Sequence, residues 1–147
     1  MPRASTIFVL HLSATVFMTG VIWVIQLIHY PLFARVGQEG YVAYQSEHEK
    51  RITWIVGPMM LLELATGALL LVNRPAAMPR TILVLNLALL GVIWLSTAFL
   101  QVPQHRRLES GYDAVAISRL VQTNWIRTVS WSARSIMLIC VLLRAVF

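Results

Sequence analysis

Apolar residues in this chain fall in long runs broken by short polar stretches, with no strand-like alternation. Four runs reach the ~20 mostly apolar residues that a helix rising 1.5 Å per residue needs to cross bilayer hydrocarbon. They are Ile7 to Tyr30, Ile52 to Val72, Thr81 to Val102 and Thr128 to Phe147. Lipid offers no hydrogen bonds to an exposed backbone, so runs of this length predict helices. The expected fold is all-α, an integral membrane four-helix bundle in which residues 1–147 form a single four-span transmembrane domain.

The polar breaks set the element ends. Tyr30-Pro31 predicts the end of the first helix, because the residue before a proline is pushed out of helical geometry, and Gly37 and Gly40 mark a short connection. From Tyr41 the chain reads as helix again but is too polar for hydrocarbon, so the second helix projects beyond the bilayer. Gly57-Pro58 predicts a kink within it. Asn73-Arg74-Pro75 and Pro79-Arg80 form a hairpin, Pro103 frays the third helix, and Gln104 to Asp113 read as a polar loop before a helical lead-in from Ala114. The run after Arg3 is too long for a signal peptide, and His29-Tyr30-Pro31 stand where a small-residue cleavage site would be expected, so it is read as a span.

Composition agrees with this pattern. Hydrophobic residues make up 58% of the chain and charged ones 12%, where soluble domains carry about 25% charged residues. The net charge of +6 comes from basic residues at helix ends and between Leu120 and Arg134, without a basic domain. Anionic headgroups of the lipid bilayer suffice as partner, and no nucleic-acid partner is expected. The single cysteine, Cys140, excludes an internal disulfide and leaves the redox compartment unread.

Four alternating crossings place the N-terminus, the Asn73 to Arg80 hairpin and Phe147 on one side. The ends carrying His29, His48, His105 and Asn124 lie on the other, which gathers three of the four histidines on one face. That side holds Arg35, Lys50, Arg51, Arg106, Arg107 and Arg119, against Arg3, Arg74, Arg80 and Arg144 opposite. The positive-inside rule favours a cytoplasmic histidine-rich side, for a protein of the bacterial inner (cell) membrane.

Candidate chemistry follows from this topology. Asn124, Arg127, Trp131 and Arg134 are spaced three, four and three apart, so at ~100° per residue they form one helical stripe. Asn124 and Arg127 share the depth of Gln26, His29, His48, Arg51, Gln101 and His105. In this cluster His29, His48 and His105 are candidate metal ligands or proton shuttles, and Arg51, Asn124 and Arg127 are candidate catalytic residues. A transition metal or haem is the candidate cofactor, with His11 and His29 as candidate haem ligands. The plainer alternative is a set of interfacial polar residues wetted by water and headgroups.

Deeper in the bundle, Glu63 and Arg134 read as a structural buried pair, with a proton relay as the functional alternative. His11 is placed near the opposite surface as a packed or snorkelling residue, and the tryptophans suit interfacial belts.

The four short spans, Pro103 with Leu108 after the third, and Trp125 with Arg127 near Asn124 resemble the small four-helix membrane proteins that include fungal anthrone oxygenases. That family has a Pro-x-Asn pattern after its third helix, whereas His105 stands at the asparagine position here. The resemblance implies oxidation of an aromatic or quinol-like molecule. His11 early in the first helix and the Pro31-Leu32-Phe33 exit are also similar to the haem-binding four-helix protoporphyrinogen oxidases of bacteria.

The expected function is a small membrane oxidoreductase acting on a lipophilic aromatic or quinone-like substrate in a histidine-rich pocket at one face. The alternative is a non-catalytic subunit of a larger membrane assembly, or a homo-oligomer. A transporter would require oligomerisation, since no internal repeat is visible.

Overall fold

The computed structural model describes residues 2–146, and every regular element among them is helical. Four long helices make the bundle: α1 (Arg3–Phe33), α2 (Tyr41–Val72), α3 (Arg80–Leu108) and α4 (Ala114–Val146). Each is long and apolar enough to cross a membrane. Helix α1 packs along both α2 and α4, and α3 packs along α4, while α2 and α3 meet only sparsely.

Two helices outrun the ends read from their prolines. Helix α1 continues through Pro31 to Phe33, and α3 through Pro103 to Leu108. In each a π-helical turn comes just before, Ile25–His29 in α1 and Thr97–Gln101 in α3. The Tyr30 N–H reaches the Ile25 carbonyl, and the Val102 N–H reaches that of Thr97. A π turn absorbs one extra residue and shifts the hydrogen-bond register, so the proline falls in the first turn of the resumed helix, where no N–H is needed. The stretch read as a polar loop shortens to residues 109–113. Helix α4 then starts under an Asp113 cap, whose Oδ1 accepts the Val115 and Ala116 N–H groups at 2.8 and 3.0 Å. Pro58 lies inside an unbroken α2.

Apolar core lies at both ends. One cluster, around Met18, Ile22, Phe33, Leu108 and Trp131, sits toward the histidines. The other joins Phe8, Leu70, Met78, Leu83 and Leu138 beside the hairpin. Between and among them the interior is polar: His11, Gln26, Glu63, Asn86, Asn124, Arg127 and Arg134 are all buried. The outer faces carry Trp54, which is 82% exposed, and Val72, Leu95, Phe99 and Ile136. A bundle dissolved in water keeps its apolar stripe inside and its charge outside. This one is inverted.

Close approach of α1 to α2 depends on Gly67. A methyl group there would stand 3.0 Å from Leu87 Cδ2, 3.3 Å from His11 Cε1 and 3.4 Å from Leu90 Cδ2. Gly67→Ala is therefore expected to destabilise the bundle by about 1–3 kcal/mol through overpacking, measured as a shifted denaturation midpoint in micelles. Gly91→Ala, whose added carbon meets nothing within 4 Å, is the neutral comparison.

Candidate functional site

Two hydrogen-bonded networks fill the polar interior, and Trp131 stands between them. The deeper one centres on Glu63 of α2, which with Arg134 of α4 is wholly buried at 0% side-chain exposure. Arg134 Nη1 donates to Glu63 Oε1 at 2.6 Å, Thr15 Oγ1 donates to the same oxygen at 2.9 Å, and Trp131 Nε1 donates to Oε2 at 3.0 Å. His11 belongs to this network. Its Nδ1 meets Thr66 Oγ1 at 2.9 Å, and its Nε2 lies 3.1 Å from Asn86 Oδ1 and 3.3 Å from Arg134 Nη2. Each ring nitrogen of His11 thus has a side-chain partner, and the Thr66 hydroxyl also reaches the Leu62 carbonyl at 2.6 Å. Of the packed and snorkelling alternatives, full burial fits the packed one, since the three other helices supply His11 with polar neighbours. Trp131, expected in an interfacial belt, is buried for the same reason.

The second network lines a cavity of about 190 Å³ toward the histidine end, to which all four helices contribute. Met18, Ile22 and Trp131 line it with apolar surface, and Tyr30, His48, Gln101, His105 and Arg127 with polar groups. Arg127 is 5% exposed. Its Nε and Nη2 donate to Asn124 Oδ1 at 2.9 and 2.5 Å, and Nη2 also donates to Tyr30 Oη at 3.2 Å. Asn124 is held in turn by Gln26, whose Oε1 accepts from Asn124 Nδ2 at 2.9 Å. Among the described residues no carboxylate forms an ion pair with Arg127, in contrast to Arg134.

Tyr30 connects Arg127 to His105. Gln45 Nε2 donates to His105 Nδ1 at 2.9 Å, so the neutral imidazole carries its proton on Nε2 and donates it to Tyr30 Oη, 3.1 Å away. With two donors already on its oxygen, Tyr30 keeps its own hydroxyl hydrogen for another acceptor. Glu49 supports Gln45 by accepting from Nε2 at 2.8 Å and lies 3.8 Å from His105 Nδ1.

His29 and His48 form a separate pair, Nε2 to Nδ1 at 2.8 Å. Phe33 packs edge-on against all three imidazoles, with ring centroids 5.1 Å from His29 and His48 and 6.4 Å from His105. The π turn in α1 places this pair, because the extra residue turns His29 toward α2 while the following Tyr30 faces α3 and α4.

The histidines expected to converge do so, and Asn124 and Arg127 join them. As metal ligands they fit poorly. His29 and His48 are bonded to each other, both nitrogens of His105 are taken by Gln45 and Tyr30, and among the described residues no group of three or more His, Cys, Asp or Glu is arranged to hold a metal ion. His11 and His29, the candidate haem ligands, lie in different networks. Arg51 stands outside the cavity at 82% side-chain exposure, paired with Glu47 at 3.0 Å. Tyr30 and Gln45 are the residues that sequence reasoning passed over. Tyr30 follows Gln26 by four positions and so shares its helix face, which was a usable signal; nothing in sequence pairs Gln45 with a histidine 60 residues away.

Comparisons with protein-family models, with curated proteins and with solved structures give no match.

Proposed function

We propose that the protein crosses the bilayer four times and is an oxidoreductase acting on a lipophilic aromatic or quinone-like molecule, whose oxygen-bearing ring occupies the inner cavity. The inverted bundle, apolar outside and polar within, supports the membrane placement, and the count of basic residues favours a cytoplasmic histidine end. The observation that carries the function is Arg127. A buried guanidinium that lines a cavity and has no carboxylate partner among the described residues is positioned to receive negative charge from a ligand, and a donor held in place before charge develops stabilises the transition state most.

In this reading a ring oxygen faces Arg127 and the Tyr30 hydroxyl. His48 takes the proton. In the tautomer whose Nδ1–H is donated to His29, its Nε2 is open to accept, and the 2.8 Å bond to His29 passes a proton outward. The resulting phenolate or enolate is the electron-rich species that dioxygen oxidises: a ring methylene and dioxygen become a ring carbonyl and water, or a quinol passes two electrons and two protons to dioxygen, giving a quinone and hydrogen peroxide. The likeness to anthrone oxygenases supports the same substrate class. No step here uses a metal.

The test is direct. The protein in lipid nanodiscs is offered a methyl-substituted benzoquinol and anthrone under air, and oxygen uptake and quinone formation are followed. Oxidation above the protein-free rate is expected. If neither compound binds nor reacts, and larger subunits co-purify in fixed ratio, the non-catalytic role in an assembly replaces this one. A haem band, or stoichiometric metal lost on replacing His29, His48 or His105, would reinstate a cofactor.

A further inference from the structure

A second hollow lies beside the inner cavity, and its chemistry differs. Between α1 and α2 runs an open groove of about 860 Å³, apolar along Val16, Phe17, Val24 and Ile55 and polar only at the end where His29, Glu47, His48 and Arg51 stand. Ile25, His48 and Ile52 line both groove and cavity, so one layer of side chains separates them.

We infer that the groove seats the alkyl or prenyl tail of the molecule whose ring enters the cavity, ring and tail meeting at the wall of Ile25, His48 and Ile52 that both hollows share; this rests on the function proposed above. Size is the first argument. Pockets for lipophilic ligands usually enclose about 300–1,000 Å³, and the inner cavity at about 190 Å³ has room for a ring but not for a long chain. The groove at about 860 Å³ supplies the missing volume. Polarity is the second. The groove's charged and imidazole side chains gather at its histidine end, where the head of an amphiphile would sit, and its apolar length runs from there to Val16 and Phe17.

The tail gains no hydrophobic free energy by leaving lipid for this groove, because lipid chains are as apolar as its walls. What the groove supplies is direction. A ring whose tail lies along α1 and α2 arrives at His48 with its oxygen end foremost, which is the orientation that proton transfer needs.

Photolabelling tests this. The probe is a benzoquinol bearing a decyl chain with a diazirine at its far end, bound to the protein in nanodiscs and irradiated. Label is expected around Val16, Phe17 and Ile55, at the apolar end of the groove, at about tenfold the level on other lipid-facing segments, and excess methyl benzoquinol should remove it by displacing the ring. Gly20 lines the groove, and a Cβ added there meets nothing within 4 Å. Gly20→Trp therefore fills the groove from an open position, and groove labelling is expected to fall about tenfold. Even labelling of all lipid-facing helices overturns the inference, and so does groove label that methyl benzoquinol does not displace. Calorimetry with methyl benzoquinol and the wild-type protein separates the two readings. If it binds while the groove stays unlabelled, the ring site stands and the tail site falls; if it does not bind, both fall.

Discussion

Replacing Glu63 by alanine is expected to destabilise the bundle by about 3–5 kcal/mol, the usual penalty for stranding one partner of a buried ion pair. Arg134 would keep its charge at 0% exposure with its 2.6 Å carboxylate partner removed, and Trp131 and Thr15 would each lose an acceptor. Among the described residues the guanidinium would then have Asn86, Thr15 and His11 within reach. Arg134→Ala should be similarly damaging from the other side. The pair Glu63→Leu with Arg134→Met should recover most of the loss, because an apolar replacement of both charges removes their desolvation as well as their attraction. Denaturant titration in micelles measures all three. A double variant no more stable than either single one would show that the carboxylate and guanidinium do not act as a pair.

Arg127→Gln is expected to leave the fold in place and to lower turnover of the bound ring compound about 10²- to 10³-fold, the range for removing one donor from a developing oxyanion. Glutamine retains a donor for Asn124, so the local hydrogen bonding survives while the positive charge is lost. Because that charge acts when the ring oxygen becomes anionic, the fall should appear in kcat with KM little changed. Tyr30→Phe should cost less, since the guanidinium remains. An Arg127→Gln protein with wild-type kcat would remove the basis for assigning the cavity a charge-stabilising role. The same result in KM alone would make Arg127 a binding residue.

Much of the site was legible in the residues because it depends on depth. Counting helical turns from either end of each apolar run puts His29, His48, His105, Asn124 and Arg127 at one level, and the structure joins them in one region. Glu63 and Arg134 were paired by the same count. What failed were judgements that needed neighbours. Tyr30 read as a helix terminus because a proline follows it, yet the π turn before it carries the helix onward and turns the phenol between Arg127 and His105. His11 read as packed or snorkelling because it lies one turn into an apolar run, and Gly67 on α2, where a Cβ would stand 3.3 Å from His11 Cε1, is what lets α2 come close to it. Arg51 was grouped with the cluster by depth alone, and it faces outward.

The amino-acid sequence by itself determined four long apolar helices, their order and the end of the bundle at which the histidines gather, because the length and hydropathy of a run are local properties. Only the tertiary structure decided which polar residues touch. Partners such as Tyr30 and Arg127, or Gln45 and His105, lie 97 and 60 residues apart, and helix rotation selects them. That rotation is set by packing across three helix interfaces and by two π turns, and neither leaves a period in the sequence. Depth along α4 already divided Arg127 from Arg134 in the sequence; the packing adds the contacts, a carboxylate at 2.6 Å for Arg134 and, among the described residues, none for Arg127.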